Sequence, residues 1–389
     1  MKRLFLSLLI LFLIAGTLLA PPVLPRRIGR SDFHAYWSAS YLLARSQNFS
    51  DPDLVFAVER EQTGRTEDYP MMTWNPPWLL ALLVPYALVP FHYAVWWWLL
   101  TSIALLSVGG FLLWHLNHRE ESHHVVLLAP LFVFAFSPSL VALMAGQVVV
   151  LVFFGLALFL FLWQRNSFLY AGMALALVMI KPHLVYLTLP LILLKVVALR
   201  RWHVLAGFLG TLVALSSVVL LLRPASLGDY VQNMGGNERL LAWHTPTLGG
   251  ALQLLTGQPW GKFIGLLLLP LAFLVWWRYL RHLNMQTLVA LSLLLSVATA
   301  PFGWSYDFII LLIPIMHSLV LLRQGAFSPL QTAGLVTALI AIDAVSFYVR
   351  LIAPSEVYFF WIPPAVATVY LWALLQARQP LHHRLAANP

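Results

Sequence analysis

Apolar runs long enough to cross a bilayer recur along this chain, from Leu4 to Leu375, and they constrain its fold more than any other feature. Lipid offers the backbone no hydrogen bonds, so a spanning segment is either a helix of roughly 17–25 residues or a strand of a closed barrel. A barrel shows short alternating strands, which are absent from this pattern. Charged residues make up 10% of the 389 positions and hydrophobic ones 61%, against about 25% charged in a soluble domain. The sequence therefore predicts an all-α, polytopic transmembrane bundle of about 12 spans, built as one integral-membrane domain over 1–389.

The spans are expected near 4–20, 93–116, 125–145, 148–164, 167–181, 183–199, 203–222, 261–278, 285–302, 306–322, 329–349 and 358–377. Several contain proline (Pro130, Pro138, Pro190, Pro270, Pro314), which frees carbonyls that neighbouring helices must satisfy. The first run reads as an uncleaved helix. It is longer than a signal peptide's apolar core, and Pro21 and Pro22 follow the one plausible cleavage site.

The fifteen residues "PPWLLALLVPYALVP", Pro76 to Pro90, set the topology. If they re-enter rather than cross, Arg119, Arg165, Lys195, Arg200, Arg201, Arg278, Arg281, Arg323, Arg378 and Arg384 all fall on the side of Lys2 and Arg3. The positive-inside rule favours that choice. The opposite, extracytoplasmic face then collects the loop 21–92 with its juxtamembrane helices, "AGQ" at 145–147, "KPH" at 181–183, the loop 223–260, "PFGWSYD" at 301–307 and the loop 350–357. Trp96, Trp97, Trp98, Trp163, Trp276 and Trp277 sit where interfacial rings anchor helices.

The net charge of +9 comes from single and paired cations at run ends, so nucleic acid is not an expected partner; the bilayer is. With no cysteine, disulfide and thiolate chemistry are excluded. No Walker loop, GxGxxG or HExxH occurs, and neither a resident metal nor a cofactor is expected. "HLNHREESHH" (His115, His118, His123, His124) has zinc-like spacing but reads as a solvated loop on the cytoplasmic side.

"GRSDFHAYWSASYLLARSQN", Gly29 to Asn48, reads as an interfacial helix capped by Ser31 and starting at Asp32. Asp32, Tyr36, Ala39 and Leu43 form one stripe, and Phe33, Trp37, Tyr41 and Ala44 its neighbour. Asp32 then either complements the helix dipole or, ionised at a water boundary, accepts a proton from a hydroxyl. Lys181 closes an apolar run and either snorkels to the interface or pairs with a phosphate headgroup, with His183 as a second donor. Asp307 is a loop acid or a partner for sugar hydroxyls or a cation. Asp343 reads as intramembrane polar glue. Asn237, Glu238, Arg239 and His244 occupy a glycine-rich segment that serves as lid or connector.

The ordered set "SDFHAYWSASYLLARSQNFSDP", "MTWNPPWLLALLVPYALVP", "AGQVVVLVFFGLALFLFL", "AGMALALVMIKPHLVYLTLPLILLKVVALRRW" and "TAPFGWSYDFIILLIP" resembles glycosyltransferase family 87. These are GT-C class, mannosyltransferase-like membrane proteins that use polyprenyl-phosphate sugars. The likeness runs from 31 to about 314. It implies a GT-C-like fold and inverting transfer of a mannose-like hexose or a pentose to a glycolipid or polysaccharide, with Asp32 as catalytic base. It also implies Lys181 and His183 at the donor phosphate, and Tyr36, Asn75, Gln147, His244 and Asp307 as further donor- or substrate-binding residues. The chain departs from the family pattern in reading "WNPP" for the usual "YPP", and in lacking a histidine within "WSYD". The competing reading is a secondary transporter or lipid-linked sugar flippase, which should show paired repeats around a midplane site; no such repeat is found.

Overall fold

The computed structural model describes residues 29, 31–116, 129–235, 242–324 and 327–377. Among these every regular element is helical. Six segments are long and apolar enough to cross a membrane: Phe91–His115, Trp202–Leu222, Pro259–Arg278, Ser305–Leu322, Pro329–Ile352 and Glu356–Ala377. The other expected spans that fall within the described residues appear as shorter apolar helices. The run at 125–145 divides into Ala129–Ala135 and Ser137–Ala145, with extended backbone at Phe136, just ahead of Pro138. The expected first span and His118, His123 and His124 lie outside the described residues.

For the site, the useful elements are α1 (Phe33–Ala44), α2 (Trp78–Ala87), α3 (Phe91–His115), α4 (Ser137–Ala145), α5 (Val149–Gln164), α6 (Phe168–Ala176), α7 (Thr188–Ala198), α8 (Trp202–Leu222), α9 (Leu248–Thr256) and α10 (Pro329–Ile352). Between α6 and α7 the chain makes two 3-10 turns, Leu177–Ile180 and Pro182–Val185. Helix α2 has 10 residues, a length of about 15 Å against a hydrocarbon core of about 30 Å.

Helix α1 is not a surface element. Nine of its 12 residues are buried, Phe33 stacks on Trp98 at 5.8 Å, and the Trp37 indole donates to the Tyr86 carbonyl. The reason is compositional: after His34 it carries aromatic, aliphatic and small residues on every side, and a helix without a charged face is buried. It begins one residue later than expected, with Asp32 at its N-cap. The Ser31 hydroxyl donates to the Asp32 carboxylate at 3.2 Å instead of capping the helix.

Two close approaches set the frame. Gly146 ends α4 at φ +70°, and a Cβ there would lie 2.5 Å from the Gly29 carbonyl oxygen, so only glycine lets the two loops touch. Their backbones are then joined, Gly29 N–H to Met144 and Asp32 N–H to Ala145. Helices α6 and α8 also meet backbone to backbone: a Cβ on Gly172 would lie 2.0 Å from the Val204 carbonyl oxygen, and one on Gly207 equally near that of Leu169. Small residues at such crossings are how membrane helices pack closely. Asp343 does act as polar glue, accepting the Ser137 N–H at the start of α4 at 2.7 Å.

Candidate active site

Asp32, Gln147, Lys181 and Asp307 come from four distant parts of the chain and form one hydrogen-bonded line. The helix N–H groups leave the Asp32 side chain free, and it accepts a hydrogen bond from the Gln147 amide nitrogen. The amide oxygen of Gln147 receives two donors, the Tyr36 hydroxyl at 3.0 Å and Lys181 Nζ at 3.0 Å. Lys181 Nζ also donates to Asp307 Oδ1 at 2.6 Å. The other Asp307 oxygen accepts the Trp304 N–H at 2.9 Å.

Each position has a local cause. Gln147 follows the left-handed Gly146, whose carbonyl is held by the Trp98 indole at 2.9 Å. Lys181 stands between the two 3-10 turns, where the helix ladder is interrupted. The carbonyls freed there are met from the "WNPPW" motif: Asn75 Nδ2 donates to Ile180 at 2.9 Å, and Trp78 Nε1 to Met179 at 3.0 Å. Irregular backbone in an apolar surround needs its polar groups met in this way. Asp307 caps its own turn, Ser305–Leu311.

Electrostatics explain the pairing. Gln147, Lys181 and Asp307 are all nearly inaccessible, and Asp32 is half-buried. A buried ammonium alone would be costly, and Asp307 offsets that cost. Lysine has three N–H donors; Gln147 and Asp307 take two, leaving one for a ligand oxygen. Burial, and next the Asp32 carboxylate, push the Tyr36 phenol well above its usual range, so it stays a donor. With two donors on its oxygen, Gln147 can only turn its NH₂ toward Asp32.

The remaining candidates divide. His183 sits beside the line, edge-on to Phe302 at 6.3 Å, and its Nε2 is buried without a hydrogen-bond partner. Asn75 supports the backbone next to Lys181. His244 is exposed in the segment ahead of α9, and Asn237, Glu238 and Arg239 lie outside the described residues. No cluster of metal-ligating side chains occurs among the described residues. Arg350 escaped the sequence reading: it pairs with Glu356 and bonds Ser305, while Glu356 also accepts the Ser305 N–H at 3.0 Å. An arginine in a loop assigned to the extracytoplasmic face was the available signal.

A profile of glycosyltransferase family 87 matches residues 73–301. The chain belongs to glycosyltransferase family 87. Comparison with curated proteins yields no match. Membership makes this a glycosyltransferase, and its apolar helices make it a multi-pass membrane protein. Gln147 and Lys181 fall inside the part matched to family 87, whereas Asp32 lies 41 residues before it and Asp307 6 residues after it. The fold is what brings all four together.

Proposed function

We propose that this family 87 enzyme transfers a mannose-like hexose, or a pentose, from a polyprenyl phosphate to an acceptor hydroxyl, with inversion, on the extracytoplasmic side of the cell's plasma membrane. The observation that carries the proposal is the line from Asp32 through Gln147 to Lys181 and Asp307. The acceptor oxygen attacks the anomeric carbon while its proton passes to Asp32. The bond from that carbon to the phosphate oxygen breaks, and the lipid phosphate leaves with the electron pair. Lys181 gives its remaining N–H to the departing phosphate, where negative charge accumulates, and His183 assists from beside it. The lipid-linked sugar is a substrate, so no further cofactor enters the scheme. Re-entry of α2 is supported by its half-membrane length.

Purified protein in liposomes, supplied with a radiolabelled polyprenyl-phosphate sugar and a glycolipid or polysaccharide acceptor, tests this. Asp32→Asn should cut turnover by roughly 10²–10⁴-fold with an unchanged thermal transition. Full turnover by the variant removes Asp32 as base. Movement of the intact lipid-linked sugar across the bilayer, without transfer, moves the chain to the flippase reading.

A further inference from the structure

Helix α7 and the helix Leu268–Arg278 leave a groove between them. It is lined by Pro190, Leu194 and Val197 on the first and by Leu269, Ala272 and Phe273 on the second. Its volume is about 460 Å³, and every residue lining it is apolar. Val197 and Phe273 are each 45% exposed, so the groove opens on the surface of the bundle, where lipid lies.

The two ends of the groove differ. Toward the candidate active site it is tied shut. The Tyr186 hydroxyl donates to the Gly265 carbonyl at 2.7 Å and meets the Thr299 hydroxyl at the same distance. A Cβ on Gly265 would lie 2.1 Å from the Thr299 carbonyl oxygen, so glycine is what lets these segments close up. Tyr186 separates Lys181 from the lining residues of α7, and Gly265 stands ahead of Leu269. A lipid with its phosphate on Lys181 would have to cross this tie to lay its chain in the groove.

At the other end both helices run into cations. Arg200 and Arg201 follow α7, Arg278 ends the facing helix and Arg281 comes after it. Lys195 Nζ, bonded to the Arg281 carbonyl at 3.0 Å, holds that residue against the last turns of α7. Arg200 keeps the left-handed position after α7 at φ +53°, where glycine fits with less strain. Among the described residues none of the four arginines pairs with a carboxylate. The sequence has no acid between Glu121 and Asp229, nor between Glu238 and Asp307.

Guanidiniums that no acid neutralises, at the mouth of an apolar groove, fit an anionic headgroup with a hydrocarbon chain behind it. A zwitterionic lipid would bring its own ammonium to the same cations. Free phosphate would leave the groove without an occupant. We propose that the groove and its arginine rim bind an anionic phospholipid from the leaflet at the basic helix ends, cytoplasmic in the orientation proposed above. One acyl chain lies between α7 and the facing helix, and the phosphate meets Arg200, Arg201, Arg278 and Arg281. This lipid is separate from the sugar donor, and its site rests on the groove, the tie and the arginines, not on the transferase reading.

Native mass spectrometry of the full chain in detergent, titrated with dioleoyl phosphatidylglycerol, tests the site without requiring turnover. One molecule should bind saturably, and dioleoyl phosphatidylcholine roughly 10-fold more weakly. Arg201→Gln and Arg281→Gln should each weaken phosphatidylglycerol binding roughly 5-fold. Ala272→Phe fills the groove and leaves the cations in place, so binding should be lost. If that variant does not fold, Val197→Trp replaces it with the same expectation. Arg165→Gln removes a cation outside the groove and should leave binding unchanged, as should Asp32→Asn. Equal binding of phosphatidylcholine overturns the site, and so does an equal loss in Arg165→Gln, which would mean a diffuse basic surface. Displacement by glycerol phosphate would assign the rim to free phosphate, and displacement by equimolar farnesyl phosphate would assign the groove to the donor; either result overturns the proposal. Loss of transfer in Asp32→Asn with phospholipid binding kept is the expected pair of results. Transfer retained with binding kept sinks only the role of Asp32, and binding absent from wild type sinks only the phospholipid site.

Discussion

Gln147 determines what Asp32 can do, because its amide relays Lys181 and Tyr36 to the carboxylate without adding charge. Gln147→Glu would keep both donors satisfied and place a second carboxylate against Asp32. Like charge disfavours ionisation, so activity that depends on a carboxylate at residue 32 should be lost at higher pH than in wild type. A pH–rate profile of the variant should show its acid limb moved to higher pH; an unmoved limb would separate Gln147 from the base. Asp32, Lys181 and Asp307 were legible in the sequence because a charge in so apolar a chain needs a reason. The relay was not, since a neutral amide in "AGQ" announces no partner. Nor was the edge-to-face meeting of Trp74, Trp243 and Trp304, because the three share no local motif.

The elements do more than fill the membrane: their interruptions build the site. The break between α6 and α7 frees carbonyls, and the "WNPPW" loop answers them, leaving Lys181 presented by backbone that no continuous helix would expose. Apolar runs reveal where helices lie but not where proline and tertiary contacts divide them, which is why the spans expected within the described residues resolve into six long helices and several short ones. The burial of α1 was likewise hidden, since its length and aromatic content suit an interface as well as a core. The α6–α8 crossing positions this break and is open to test. Gly172→Ala drives a methyl into the Val204 carbonyl, and overpacking of this kind costs about 1–3 kcal/mol. Its thermal transition in detergent should fall and its turnover drop as Lys181 shifts. Gly210→Ala on the same α8 meets nothing within 4 Å and should be neutral or up to about 1 kcal/mol stabilising. Equal stability of the two variants would contradict the close crossing.

Across the whole molecule, the site and the basic helix ends lie at opposite ends of the same helices. Helix α5 follows Gln147 and stops before Arg165; α7 follows Lys181 and His183 and stops before Arg200 and Arg201. Lys195 near the end of α7 bonds the carbonyls of Arg281 and Leu283, gathering cations at that end. The proposed orientation, with Asp32 and Lys181 away from the cytoplasm, has this polarity, cations gathered at the other end. It also gives the phosphate two places to go, the single ammonium of Lys181 or the arginine-rich end. Electron cryomicroscopy of the Asp32→Asn variant in nanodiscs with a polyprenyl-phosphate sugar decides between them. The account requires a phosphate oxygen about 3 Å from Lys181 Nζ, with the anomeric carbon facing residue 32. A phosphate held instead by Arg200, Arg201 or Arg281, with the Gln147–Lys181 line unliganded, would contradict it.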